Sequence, residues 1–96
     1  MIMKLVRDKI PDIVREKGET ASFRTATADE YHRALVDKLL EECNEFKRTQ
    51  SAEELADVLE VVHALAEDHG GVEAIEQARI AKKPERGGFT KRILLE

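Results

Sequence analysis

Four carboxylates lie within or beside the apolar faces of two helices that the sequence predicts. On the first of these helices, Glu42 falls inside the apolar arc and Glu45 falls just outside its edge. On the second, Glu54 and Asp57 both fall within the arc. Four converging carboxylates would repel one another and lose hydration, at a cost on the order of several kcal/mol. A hard divalent cation is the simplest compensation, because it takes several oxygen ligands and neutralises their charge.

The same carboxylates also have structural interpretations. Glu54 is the last residue of a predicted capping box that starts at Ser51, and Glu41 and Glu45 fit a solvated helix surface. A single Glu-x-x-Glu motif carries little information in a chain with 38% charged residues. Two such motifs, each of which breaks an apolar face, carry more, and together they predict an acidic metal site.

The elements that would position these residues are predicted to be four helices, and the fold class is therefore all-α. The first helix is capped by Asp8, has Pro11 in its opening turn and is ended by Gly18. The second begins with the capping box Thr27-Ala28-Asp29-Glu30 and runs to about Arg48, and the third begins with the capping box Ser51-Ala52-Glu53-Glu54 and is ended by Gly70-Gly71. The fourth covers 72–83 and stops at Pro84. Residues 19–26 are predicted to be an irregular connection, and residues 85–96 an extended docking segment.

The two long helices, joined by a turn at 49–51, predict an antiparallel hairpin with wide apolar faces. On the first of them, Tyr31, Cys43 and Phe46 lie on the apolar arc and are interpreted as core residues. A single domain of 96 residues supplies only short flanking helices to cover these faces. We therefore expect a homo-oligomer, either a dimer or a tetramer, in which pairs of hairpins complete a bundle.

Composition and charge exclude several classes of function. The single cysteine allows no internal disulfide, which favours a cytoplasmic location, and the longest nearly apolar run, 61–66, is too short for a membrane span. The net charge of −4 divides into +2 over 1–24, −10 over 25–78 and +4 over 79–96. Nucleic acid would require one continuous basic face, so we expect neither a nucleic-acid nor a membrane partner. An acidic centre between basic ends suits an anion that arrives with divalent cations, or else a solvated charged surface.

The acidic motifs belong to a wider pattern. That pattern comprises Lys4-Leu5-Val6-Arg7-Asp8-Lys9-Ile10-Pro11 at the start, Leu39-Leu40-Glu41-Glu42-Cys43-Asn44-Glu45-Phe46 and Glu54-Leu55-Ala56-Asp57-Val58-Leu59-Glu60-Val61 in the centre, and Arg86-Gly87-Gly88-Phe89 near the end. It resembles the all-α nucleotide pyrophosphohydrolases, a superfamily that includes MazG, the dimeric dUTPases and phosphoribosyl-ATP pyrophosphatase. The flanking motifs look like a short MazG-like subgroup that is often labelled phosphoribosyl-ATP pyrophosphohydrolase-like. The resemblance spans nearly the whole chain and implies one domain over residues 1–96.

The resemblance implies a metal-dependent hydrolysis. It implies that Glu42, Glu45, Glu54 and Asp57 bind Mg²⁺, for which Mn²⁺ is a common substitute. Glu41 would act with Glu42 at the catalytic centre, as a further ligand or as a base that orients water. The family hydrolyses the α–β phosphoanhydride of a nucleoside triphosphate to a monophosphate and pyrophosphate. Metal ions suit this reaction because they polarise phosphoryl oxygens and lower the pKa of a bound water.

Basic residues are the predicted partners of the substrate's phosphates. The first candidates are Lys82, Lys83 and Arg86, which stand beside a glycine pair. Arg7 and Lys9 are the second candidates, reaching the site of a neighbouring subunit. The structural alternative is that basic side chains at the end of a helix only interact with its dipole.

The substrate itself stays open. Only eight residues separate Glu45 from Glu54, fewer than is usual in MazG, which predicts a tight turn and an altered base pocket. Phosphoribosyl-ATP, as in histidine biosynthesis, is an alternative substrate for the same chemistry. A non-catalytic helical dimerisation module, in which the carboxylates are caps and surface charge, is the alternative from another class.

Overall fold

In a computed structural model that describes residues 3–96, the chain is helical. Its elements are α1 (Ile10–Glu16), α2 (Ala28–Thr49), α3 (Ala52–Ala66), a 3₁₀ turn (Glu67–His69) and α4 (Val72–Arg86). Residues 3–96 contain no strand, so the predicted all-α class is confirmed for the part of the chain that is described. Over the same residues, no helix combines the length and the apolar character that crossing a membrane requires.

The start of α2 is fixed by the predicted capping box. The Thr27 hydroxyl accepts a hydrogen bond from the Glu30 backbone N–H at 3.3 Å, and the Thr27 N–H donates to Glu30 Oε1 at 3.0 Å. The Arg24 guanidinium donates to both carboxylate oxygens of Glu30, at 2.8 and 2.6 Å, and lowers the pKa of Glu30 to about 2. These contacts satisfy N-terminal amides of α2 and define the residue at which it begins.

Gln50 and Ser51 connect α2 to α3, at the position predicted for the turn. Gln50 adopts a left-handed conformation (φ 52°), and its N–H donates to the Phe46 carbonyl at 2.6 Å. Ser51 Oγ accepts a hydrogen bond from the Glu54 backbone N–H at 3.1 Å, which is the hydroxyl half of the predicted second capping box. Because the connection is so short, it restricts the positions that α2 and α3 can take relative to each other, and therefore the distances between the carboxylates on the two helices.

The predicted cap of α1 is wrong. The N-cap residue is Lys9 rather than Asp8, and it makes no side-chain capping hydrogen bond. The helix begins at Ile10, whose N–H donates to the Arg7 carbonyl at 3.0 Å, and Pro11 lies in the first turn as predicted. Proline already has a helical φ and lacks an amide that would be unpaired there, which favours a helix start at this position.

The predicted end of the fourth helix is also wrong. The helix continues through Pro84 to Arg86 instead of stopping before the proline. Pro84 lacks one amide hydrogen, but the Gly87 N–H still donates to the Lys83 carbonyl at 2.7 Å. One lost hydrogen bond so close to the end therefore does not terminate the helix.

The glycine pair after α3 ends the helical segment in two steps. The α-helix stops at Ala66, and the 3₁₀ turn carries the chain to Gly70, which has φ 91°. The Gly71 N–H closes this segment by donating to the Ala66 carbonyl at 2.8 Å. A Cβ atom at Gly70 would lie 3.1 Å from Cβ of Ala74, so the site combines a positive φ with a close approach.

The described residues form two compact units, divided after Val62. The first unit contains α1, α2 and most of α3, and its most buried apolar residues are Leu35, which is 2% exposed, and Val61. The second contains the end of α3, the 3₁₀ turn, α4 and the tail, and its buried residue is Ala66.

The apolar arc of α2 is only partly covered. Cys43 is exposed and Tyr31 is 41% exposed, so the prediction that they are core residues is wrong for the single chain, whereas Phe46 is half-buried. Leu35 is the one buried residue of this helix, which shows that the rest of the first unit covers only part of the apolar arc. Helical periodicity identifies an apolar face, but it does not say how much of that face another element covers.

Candidate metal centre

Three of the four carboxylates predicted as metal ligands come together. Glu42 on α2 meets Glu54 and Asp57 on α3, and one carboxylate oxygen from each lies within 4.8 Å of the others. All three residues are half-buried. The spacing of Glu54 and Asp57 places both on one side of α3, and the two-residue connection brings that side to Glu42. We refer to these three residues as the acidic triad.

Glu54 is the electrostatically unusual member of the acidic triad. Its Oε2 atom is buried and has no hydrogen-bond partner in the described part of the chain. The adjacent Glu42 carboxyl raises the pKa of Glu54 to about 7, and burial and the charge of Asp57 act in the same direction. A buried carboxylate oxygen with negative neighbours favours either a proton or a cation beside it.

The donor set fits a hard divalent cation. Carboxylate oxygens bind such ions at about 2.0–2.6 Å, so oxygens that share one ion lie no more than about 4–5 Å apart. The oxygens of the acidic triad already satisfy that limit. A cation would also provide the missing partner of Glu54 Oε2 and remove the repulsion within the triad.

Glu41 and Glu45, the other two predicted acidic site residues, lie on α2 outside the acidic triad. Glu41 forms an ion pair with Lys4 at 2.7 Å and lies 3.5 Å from Lys38 Nζ, and these two cations lower the pKa of Glu41. Glu45 forms an ion pair with Arg48, one turn along the helix. The predicted roles of Glu41 and Glu45 at a metal stay predictions.

Cationic side chains contact the acidic triad directly. Arg7 Nη2 donates to Asp57 Oδ1 at 2.7 Å, and Lys38 Nζ lies 3.3 Å from Glu42 Oε1. Sequence reasoning missed Lys38, although its position four residues before Glu42 on one helix is a recognisable signal. It also missed Lys4, for which the local sequence offers no comparable signal, because its partner Glu41 lies on a distant helix.

The residues predicted to bind phosphate lie on different elements. Arg7 lies in the N-terminal segment and contacts the acidic triad, and Lys9 is the N-cap residue of α1. Lys82, Lys83 and Arg86 are exposed in the last turns of α4, in the second unit. Arg7 is thus placed at the predicted site, and a phosphate-binding role for all five stays a prediction.

Comparison with known proteins finds a similar protein of unknown function. An uncharacterized protein of Mycolicibacterium smegmatis is 48% identical to this chain over 44 residues, which is 46% of this chain and 45% of the relative. The match thus spans less than half of that relative's length. No family model matches the chain, and no solved structure matches it. Any function assigned to the chain therefore depends on the chemistry of its own residues.

Proposed function

We propose that this protein is a Mg²⁺-dependent nucleotide pyrophosphohydrolase, which cleaves the α–β phosphoanhydride of a nucleoside triphosphate into a monophosphate and pyrophosphate. The observation that carries this proposal is the convergence of Glu42, Glu54 and Asp57, with a buried carboxylate oxygen that has no hydrogen-bond partner among residues 3–96. A polyphosphate is a natural ligand for such a centre, because it binds divalent cations and also needs cationic side chains nearby. The resemblance of the acidic motifs to the all-α nucleotide pyrophosphohydrolases supports the same reaction.

The acidic triad would hold the cation, and Glu45 would join it after leaving Arg48. When bound, the cation supplies Lewis acidity, which polarises phosphoryl oxygens and lowers the pKa of water. Glu41 lies next to this centre in sequence, and its lowered pKa makes it a better acceptor for orienting water than a base for removing its proton.

Cationic side chains would meet the negative charge of the phosphates. Arg7 is the best supported of them, because it already contacts the acidic triad through Asp57. The other candidates are Lys9, Lys82, Lys83 and Arg86, acting in their own subunit or in a neighbouring one.

We also propose that α2 and α3 form an antiparallel hairpin and that two or more copies of the chain complete a helical bundle. On α3, Leu55 is 53% exposed and Leu59 is 55% exposed. They share one apolar surface with Ala52, Ala56, Val58 and Val62. Burying a leucine side chain stabilises a structure by about 1.5–3 kcal/mol, so a second copy that covers this surface would gain stability.

The exposed surface of α3 also favours a second candidate function, a non-catalytic dimerisation module. In that case the carboxylates would be surface charge, and the apolar residues of α3 would be the functional feature. The two functions differ in their response to metal, because only the enzyme needs the acidic triad to hold a cation during turnover.

Pyrophosphate release from a panel of nucleotides tests the proposal, with Mg²⁺, with Mn²⁺ and with chelator. We expect metal-dependent release that Glu42→Gln lowers by about 100-fold or more, as expected when a group central to catalysis is removed. Glu53→Gln is the matched control, since it neutralises an exposed carboxylate on α3 outside the acidic triad. If only phosphoribosyl-ATP is cleaved, and a histidine auxotroph is rescued, the substrate assignment changes. If nothing is cleaved, the module is favoured.

A further inference from the structure

Arg7 holds one of the three carboxylates of the acidic triad. Its Nη2 atom donates to Asp57 Oδ1 at 2.7 Å, between residues fifty positions apart in the chain. The two side chains keep 58% and 43% of their surface exposed. An ion pair that remains in contact with water is weak, at most about one order of magnitude in an equilibrium constant, so its partners exchange readily.

The backbone at Arg7 is hydrogen-bonded to the start of α1, whereas its side chain is accessible. The Arg7 carbonyl accepts the Ile10 N–H at 3.0 Å at the start of α1. Three residues earlier, Lys4 forms a 2.7 Å ion pair with Glu41 on α2. The N-terminal segment is thus held against the acidic surface at two points, and only one of them, the contact of Arg7 with Asp57, involves the acidic triad.

A guanidinium and a divalent cation compete for the same carboxylate. A cation bound by Glu42, Glu54 and Asp57 would repel a positive charge held 2.7 Å from Asp57 Oδ1. A polyphosphate that binds with the metal offers the displaced guanidinium a new partner, because its planar fork of N–H donors matches two phosphate oxygens.

We propose that Arg7 is an exchangeable counter-ion of the centre, which neutralises Asp57 in the metal-free protein and transfers to a phosphate oxygen when metal and polyphosphate bind. This inference rests on the proposed function, and it gives Arg7 a phosphate-binding role in its own subunit. It predicts that removing Arg7 changes the affinity for metal alone and the affinity for the metal–polyphosphate complex in opposite directions. Metal alone binds more tightly, since a competitor is gone, whereas the metal–polyphosphate complex binds more weakly, since a donor is gone.

The first measurement is the affinity of the full chain for Mn²⁺ alone, by electron paramagnetic resonance. Arg7→Gln is expected to bind Mn²⁺ about two- to fivefold more tightly than wild type, which is the scale of an exposed ion pair. Arg15→Gln is the matched control, because it removes an exposed guanidinium that pairs with Asp12 at 3.4 Å, and it is expected to leave the affinity unchanged.

The second measurement is the affinity for inorganic pyrophosphate at a constant, saturating concentration of free Mn²⁺. Arg7→Gln is expected to weaken it by about fivefold or more, and Arg7→Lys is expected to recover only part of that loss, because lysine keeps the charge but not the fork. If Arg7 had only a structural role, Arg7→Gln would lower the affinities for Mn²⁺ and for pyrophosphate together. Opposite changes in the two affinities are therefore the diagnostic result.

Failure of the inference and failure of the proposed function have different signatures. If wild type binds no Mn²⁺, the proposed function fails. If wild type binds Mn²⁺ but Arg7→Gln binds it no more tightly, or binds pyrophosphate equally well, the exchange is overturned. Thermal unfolding shows whether Arg7→Gln is folded; if it is not, Arg7→Lys decides alone, and pyrophosphate affinity equal to that of wild type overturns the inference.

Discussion

The carboxyls of Glu54 on α3 and Glu42 on α2 lie side by side, with one oxygen of each within 4.8 Å of the other, and this proximity raises the pKa of Glu54 to about 7. Two ionised carboxylates repel at this distance, so the contact favours a proton on the pair. The proton and a divalent cation are alternative ways to neutralise the same pair. The acidic triad should therefore respond in opposite ways to rising pH in the absence and in the presence of metal.

Without metal, the Glu54 contact should make the protein less stable as the pH rises. Between pH 4.5, the ordinary pKa of this group, and about 7, the folded state keeps a proton on Glu54 that the unfolded state releases. The free energy of unfolding therefore falls as pH rises through this window, and the contribution is complete only below it. Glu54→Gln, which cannot titrate, should remove this part of the slope.

Urea unfolding at pH 5, 6, 7 and 8 in the presence of chelator measures this effect. Glu53→Gln should keep the wild-type pH dependence, because Glu53 is an exposed neighbour outside the acidic triad. A Glu54→Gln variant with the wild-type slope would contradict the assignment of the raised pKa to Glu54.

Divalent metal should stabilise the folded chain by mass action. At a metal concentration about 100 times the Kd, the gain is about 2.7 kcal/mol, which for a domain of this size raises the Tm on the order of 10 °C. Asp57→Asn should lose most of this shift, and Glu60→Gln, an exposed carboxylate on the same helix, should keep it. The shift should be larger at pH 8 than at pH 6, because metal must displace the proton on Glu54.

Thermal unfolding with Mg²⁺, with Mn²⁺ and with chelator provides the comparison. An unchanged Tm at millimolar concentrations of both metals would count against the acidic triad as a cation site and would leave the dimerisation module as the better function.

Local sequence was sufficient to predict the four helices and the approach of three of the four carboxylates predicted as metal ligands. The capping boxes at Thr27 and Ser51 determine where the two long helices begin, and the 3.6-residue period then determines which carboxylates share a face. Because only two residues join these helices, the approach of Glu42 to Glu54 follows from helix positions alone.

Tertiary contacts explain what the sequence did not predict. The ion pair between Arg7 and Asp57 joins residues fifty positions apart, and no local period relates them. Cys43 is exposed because the rest of the first unit covers only part of a broad apolar arc. Helix ends depend on individual hydrogen bonds, as the continuation through Pro84 illustrates.

A charge on the apolar surface of α3 should prevent self-association. Leu59 is 55% exposed on that surface, and Leu59→Glu would place an ionised carboxylate in the proposed contact between copies. Ile80→Glu on α4 is the matched control, because Ile80 has nearly the same exposure, 52%, outside this surface. We expect an oligomer for wild type and for Ile80→Glu, and a monomer for Leu59→Glu.

Sedimentation velocity over a range of protein concentrations checks this expectation. A wild-type chain that stays monomeric at tens of micromolar would refute the proposed bundle, and an oligomeric Leu59→Glu would place the interface elsewhere.

Shortening Leu35 should destabilise the first unit more than removing any exposed apolar group. Leu35 is 2% exposed, so Leu35→Ala loses the transfer free energy of its side chain and leaves a cavity, at a cost of about 2–5 kcal/mol. Leu94→Ala makes the same chemical change at a residue that is 87% exposed, and its cost should be within about 0.5 kcal/mol.

Urea unfolding with a shared m-value gives the change in the free energy of unfolding for both variants. A cost below about 1 kcal/mol for Leu35→Ala would contradict its place in the core. Adding metal then tests whether packing and the acidic triad are separate contributions, because Leu35→Ala removes no ligand and should gain as much stability from a saturating cation as wild type does. A smaller gain would mean that the core around Leu35 holds α2 in the position that Glu42 needs to reach α3.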